Sequence, residues 1–258
     1  MQILRASRAV PVLMFSAALL LGSPGLHAQG RDARSQALPP DPNHDPNMDW
    51  PVDLTGQWVA AVTEDWNYRM VTPAKGDYTG VPLNADGGKL ADIWDAAKDE
   101  ASGNECKAYG APAIMRVPGR IRISWADAGV MKIETDSGKQ TRLFYFQDSE
   151  NPGGDLQGLS RAAWDVKGRR GPVRGGSMRV VTTKLKPGYL RKNGVPYSDK
   201  TELTEYYTRT DNPNGDSWLV IMTVVNDPTY LTEPYTSTAH FKKEDDESSW
   251  NPTPCSAR

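Results

Sequence analysis

The stretch TELTEYYTRTDNPNGDSWLVIMTVVND, residues 201–227, decides the fold class. Two strand-like runs flank Asn214-Gly215, a dipeptide that accepts the positive φ angles of a tight hairpin turn. The first run sets Leu203, Glu205, Tyr207 and Arg209 on one face and Glu202, Thr204, Tyr206 and Thr208 on the other. The second, residues 218–225, is apolar on both faces, which predicts a central strand covered on both sides.

The two-residue period recurs on both sides of this hairpin. RIRISW puts Ile121, Ile123 and Trp125 opposite Arg120, Arg122 and Ser124, and VMKIET puts Met131 and Ile133 opposite Lys132 and Glu134. TRLFYF, LSRAAWDV, SMRVVTTKL and PYTSTAHFKK continue the series. Turn signals stand between them: Asp136-Ser137-Gly138, Pro152-Gly153-Gly154 and Asn193-Gly194. With a first strand near Gly56, about nine strands are expected. Regular short strands without internal repeats or βαβ alternation predict a mainly β chain, a sandwich or an antiparallel up-and-down barrel.

The region before these strands is different. Residues 64–88 read as a long loop punctuated by Gly and Pro. KLADIWDAAKDEA, residues 89–101, has Leu90, Ile93, Trp94 and Ala97 at helical spacing, which predicts one amphipathic helix with Asp86 as its N-cap. Further upstream, Arg5 and Arg8 precede an apolar run at residues 10–21, and Gly25-Leu26-His27-Ala28 offers small residues for cleavage. Residues 1–28 are therefore expected to be a secretory signal peptide, the alternative being an uncleaved anchor. No later segment is apolar for long enough to span a bilayer as a helix. Residues 29–52 form a proline-rich linker, and residues 53–258 the folded domain. The expected location is periplasmic or secreted. There, the two cysteines, Cys106 and Cys255, are expected to form one disulfide; a Cys-based metal or redox site is the alternative, without a CxxC to support it.

The opening of the domain carries a resemblance. DLTGQW, residues 53–58, places Gly56-Gln57-Trp58 at the first strand, and Lys242 and Lys243 end the last one. This resembles the lipocalin entry motif, in which the Trp closes one barrel end and a cation packs over it. The resemblance implies a lipocalin-like barrel of about 8–9 strands, with one helix and a long capping loop after the first strand, holding a small apolar or amphipathic ligand. The first loop is longer than is usual in lipocalins, no helix is evident after the last strand, and the Thr-Asp-Tyr motif is missing. The chain is also similar to a group of uncharacterised exported bacterial proteins with patterns like CxxYGxPxxM, here residues 106–115, and EDPxYxTxP, here residues 226–234.

The formal net charge is −2, from 30 Lys and Arg against 32 Asp and Glu, which gives no reason to propose nucleic acid as a partner. His240 is the sole His in the folded part and lines the interior if its face, shared with Thr236 and Thr238, points inward; otherwise it is a structural His at the rim. One His cannot supply the usual metal ligand set, and no cofactor is expected. Glu205, Tyr207 and Arg209 share a strand face and form a candidate catalytic set with His240; the competing reading is an outer face paired across the sheet with Arg142 or Arg161. Trp66, Tyr68, Trp94, Tyr109, Trp164 and Tyr206 are candidate ligand-binding aromatics, with the loop's own small core as the alternative for those in the long excursion. The basic segments at residues 167–176 and 189–198 read as solvated loops, the alternative being an approach to an acidic ligand or an anionic membrane surface. Three functional classes follow: a small-molecule binder, an acid–base barrel enzyme of isomerase, cyclase or lyase type, and a structural partner in the cell envelope.

Overall fold

The alternation at residues 120–125 and 130–135 becomes two paired strands whose apolar residues face a shared interior. In the computed structural model, which describes residues 51–165 and 176–257, nine strands close into a barrel. The signal peptide, most of the linker with His27 and His44, and the basic stretch 167–175 lie outside the described residues. The barrel strands are β1 (Gly56–Ala61), β2 (Arg120–Asp127), β3 (Val130–Thr135), β4 (Thr141–Tyr145), β5 (Leu159–Asp165), β6 (Ser177–Thr183), β9 (Glu202–Asp211), β10 (Ser217–Asn226) and β11 (Tyr235–Lys243). A separate hairpin, β7 (Gly188–Arg191) with β8 (Val195–Tyr197), interrupts the series, so β6 pairs with β9.

The barrel is mixed, which corrects the up-and-down expectation. β4 and β5 run parallel, with Phe144 beside Ser160 and Tyr145 beside Arg161. A hairpin would reverse the chain, but the long connection at residues 146–158, with Pro152-Gly153-Gly154, carries it back to the end where β4 began. The central-strand expectation for residues 218–225 is also corrected. Leu219, Ile221 and Val225 are fully buried, while Met222 on the other face is 39% exposed. One curved sheet closed on itself buries only its inner face.

Trp58 fills one end of the barrel. Its indole Nε1 donates to the Leu54 carbonyl at 3.0 Å, and Lys243 Nζ sits 5.4 Å from the ring centroid. Gly56 has φ +113°, and a Cβ there would stand 3.0 Å from Lys243 Cε. Gly therefore permits both the bend into the barrel and the passage of the lysine over the indole. The barrel is thus compatible with lipocalin-like closure at this end.

The opposite end is covered by residues 62–118 and the β7–β8 hairpin. The cover contains α1 (Trp66–Arg69), α2 (Ala85–Asp92), α3 (Ala96–Ala101), a 3-10 turn (Glu105–Tyr109) and α4 (Ala111–Ile114). The single helix expected at residues 89–101 is two. Asp95 adopts an extended conformation and accepts from the Ala97 and Lys98 amides, so it starts a new helix; Asn84, not Asp86, caps the first. A second apolar cluster, including Leu190, Val195, Tyr197, Leu203, Val225 and Tyr235, joins cover to barrel. The Cys106–Cys255 disulfide ties the C-terminal tail to the cover. Among the described residues, no helix is long and apolar enough to cross a membrane.

Candidate functional site

Inward alternation on β9 brings Glu205 and Tyr207 into the barrel, and the same phase on β4 brings Arg142. Arg142 Nη1 and Nη2 donate to Glu205 Oε1 and Oε2 at 2.9 and 2.6 Å. Tyr207 Oη donates to Glu205 Oε1 at 3.2 Å, and Arg142 Nη2 reaches Thr182 Oγ1, which lies 2.7 Å from Ser160 Oγ. The guanidinium also stands 4.9 Å from the Phe144 ring centroid. Arg142, Glu205 and Tyr207 are fully buried. Burial pulls the Arg142 guanidinium towards neutrality, but the adjacent Glu205 carboxylate outweighs it and raises its affinity for the proton. Burial, reinforced by Glu205, pushes the Tyr207 phenol well above its usual range. Each charged group answers another, which makes the cluster a closed ion pair rather than a free acid and base.

The other expected catalytic groups are elsewhere. Arg209 lies at the Trp58 end, where it donates to the Asp53 carbonyl at 2.7 Å and to Asp211 at 2.9 Å. His240 is on the outer face of β11, the inner face being that of Ala239 and Phe241; its Nδ1 is 2.9 Å from Glu64 Oε2. The structure brings Glu205 and Tyr207 together and leaves Arg209 and His240 apart from them. The cross-sheet partner read for Glu205, Arg142, does meet it, but inside the barrel. Arg161 instead pairs with Asp148 on the surface.

Two cavities lined by described residues lie at the cover, not around this ion pair. One is a slot of about 280 Å³ walled by Trp94, Tyr189, Tyr197, Tyr230, Pro187 and Pro196, with Leu90 and Ile93 also lining it. Trp94 is fixed by packing on the β7–β8 turn, where a Cβ on Gly194 would fall 2.2 Å from the indole. Its Nε1 donates to Asp99 Oδ2 at 3.0 Å, and Tyr189 Oη donates to the same oxygen at 2.9 Å. Burial, then Asp99, pushes the Tyr189 phenol upward. The other cavity is a cleft of about 460 Å³ between the cover and the C-terminal tail, lined by Tyr68, Tyr109, Arg69, Arg116 and Arg191 among others. β7 and the 3-10 turn separate the two: Tyr189 and Lys107 line the slot, Arg191 and Ala108 the cleft.

Of the expected aromatics, Trp94 thus lines the slot, while Tyr68 and Tyr109 line the cleft. Trp66 is 58% exposed. Trp164 lies towards the Trp58 end, stacked on Phe146 at 6.0 Å, and Tyr206 sits half-buried on the outer face of β9. The segment 189–198, read as a solvated loop, is mostly buried hairpin. Sequence reasoning missed Tyr230, Arg69 and Arg116, and set Tyr189, Tyr197 and Arg191 aside with a basic segment that it preferred to read as a solvated loop. The available signal was in YLRKNGVPYS, where Asn193-Gly194 separates two short runs rich in Tyr, Leu and Val. Among the described residues no group of three His, Cys, Asp or Glu side chains is placed to hold a metal ion.

Comparison with protein-family models, curated proteins and solved structures yields no match to this chain. The functional reading therefore rests on the site itself.

Proposed function

We propose that this is an exported binding protein for a small, partly apolar molecule, and that the molecule occupies the aromatic slot in the cover. The observation that carries this reading is the slot's wall of Trp94, Tyr189, Tyr197 and Tyr230 with two prolines, fixed by Asp99. Such a surface suits a ring stacked between aromatic faces, with Asp95, Lys98, Asp99 and Lys107 as the charged groups at its wall. Ile93, 71% exposed, sits at the slot and leaves an apolar surface for an entering ligand to cover. The barrel interior offers less, because its centre is occupied by Arg142, Phe144, Glu205 and Tyr207. The acid–base alternative gains no support from Glu205 and Tyr207, which are engaged with Arg142.

The test is a fluorescence titration with the neutral apolar probe N-phenyl-1-naphthylamine. Saturable binding is expected, weakened about tenfold in Trp94→Ala, in line with the worth of one aromatic contact. Ile93→Glu, a substitution at an exposed position that leaves the core intact, should weaken it too. Equal binding by the parent and both variants would place the ligand elsewhere.

A further inference from the structure

The cleft beside the slot has different chemistry. Arg69, Arg116 and Arg191 line it, and they are only 8%, 6% and 6% exposed. Each keeps a buried guanidinium nitrogen without a hydrogen-bond acceptor: Nη2 of Arg69, Nη1 of Arg116 and Nε of Arg191. The remaining contacts are accounted for. Arg69 donates to the Arg116 carbonyl and to Glu64, Arg116 to Asp65, and Arg191 to the Thr79 carbonyl at 2.8 Å. Arg191 packs its guanidinium on the Tyr68 ring at 4.6 Å and pairs with no carboxylate among the described residues. Among the described residues, no Asp or Glu lines the cleft.

Buried polar hydrogens normally find acceptors, and buried cations normally find counter-charges. Arg69 and Arg116 have Glu64 and Asp65 as counter-charges, whereas Arg191 has none among the described residues, so the cleft wall carries a cation that an acceptor from outside the chain can answer. The neighbouring Arg116 also lowers the proton affinity of Arg69, adding to burial and opposing Glu64. A guanidinium is matched in shape and charge by a carboxylate or phosphate. Tyr68, Val71, Val117 and Pro254 supply less polar walls, and 460 Å³ exceeds the volume of a bare oxyanion.

We propose that this cleft is a second binding site, for a small organic oxyanion, a carboxylate or phosphate carried on a ring or short apolar body. It is separate from the slot and does not depend on the slot's role.

The test is isothermal calorimetry on the disulfide-bonded protein with phenyl phosphate and with benzoate. Saturable binding of at least one is expected. Arg191→Gln should weaken it about tenfold or more, the effect of removing one charged hydrogen-bonding partner. Arg191 is the informative position because its removal strands no carboxylate. Arg161→Gln, on the outer wall, should bind as the parent does. Bound phenyl phosphate should leave the N-phenyl-1-naphthylamine titration unchanged, so the two sites succeed or fail separately. If Arg191→Gln does not fold, the Arg191 side-chain Nε–Hε resonance of the unmodified protein should shift on titration. Absence of saturable binding, unchanged affinity in Arg191→Gln, or an unmoved Arg191 resonance would overturn the proposal. Binding to phosphatidylglycerol vesicles without binding either soluble probe would also overturn it, by assigning the basic surface to lipid.

Discussion

Arg142 and Glu205 meet across the barrel interior through two hydrogen bonds of 2.9 and 2.6 Å, from strands β4 and β9 that are not neighbours in the sheet. The contact therefore links opposite parts of the wall, and both side chains are fully shielded from water.

Breaking that pair leaves an uncompensated charge in a buried site. Glu205→Gln should destabilise the protein by about 3–5 kcal/mol, read as a lower midpoint in urea. The double substitution Arg142→Met with Glu205→Leu should recover most of the loss, because two apolar side chains remove both charges together. A double variant as unstable as the single one would mean that the pair contributes more than charge compensation.

The Cys106–Cys255 disulfide closes a separation of 149 residues. In the chain-entropy account, a loop of that length corresponds to about 5 kcal/mol of stabilisation. Cys255→Ser should lower the denaturation midpoint accordingly. It should also weaken oxyanion binding, because Thr253, Pro254 and Ser256 form part of the cleft wall. Peptide mapping without reductant should recover the linked pair; two free thiols would contradict it.

Stability at low pH should report on Glu64. Partial burial pushes its carboxyl up, but the Thr63 hydroxyl, Arg69 and His240 bring it net below its ordinary value of 4.5. A carboxyl lowered by folding contributes stability that is present above its unfolded pKa and lost as pH falls through the folded one. Urea midpoints for the parent and Glu64→Gln should differ most above pH 4.5 and converge as the solution is acidified below it. A difference that grows on acidification would reverse the sign of the argument.

Much of the barrel was legible in the chain. Ile121, Ile123, Met131 and Ile133 alternate with charged residues, and a period of two fixes which side chains share a face. Gly56-Gln57-Trp58 and the terminal lysine predicted a capped barrel end, and Lys243 lies over Trp58, joined there by Arg209. The helix prediction failed where a local contest was decided by capping: Asp95 restarts the helix, and Leu90 and Ile93 do not form a core face.

The candidate sites were only partly legible. Trp94, Tyr68 and Tyr109 were marked by residue type, but nothing in their spacing divided them between slot and cleft. Arg191 sat in a basic segment read by preference as a solvated loop, and nothing marked Arg116, since burial of an arginine depends on what packs over it rather than on its neighbours in sequence.

By itself, the sequence determined the mainly β class, the strand-forming segments, the hairpin at Asn214-Gly215 and which residues could share a face, because all of these follow from short-range periodicity and turn chemistry. Which face turned inward, the parallel run of β4 and β5, the meeting of Glu205 with Arg142 inside the barrel while His240 stays outside, and the division of the lining residues between slot and cleft were set by tertiary structure. Those outcomes depend on register and on contacts between residues far apart in the chain. A shift of one residue in pairing would exchange the faces without changing a single local preference.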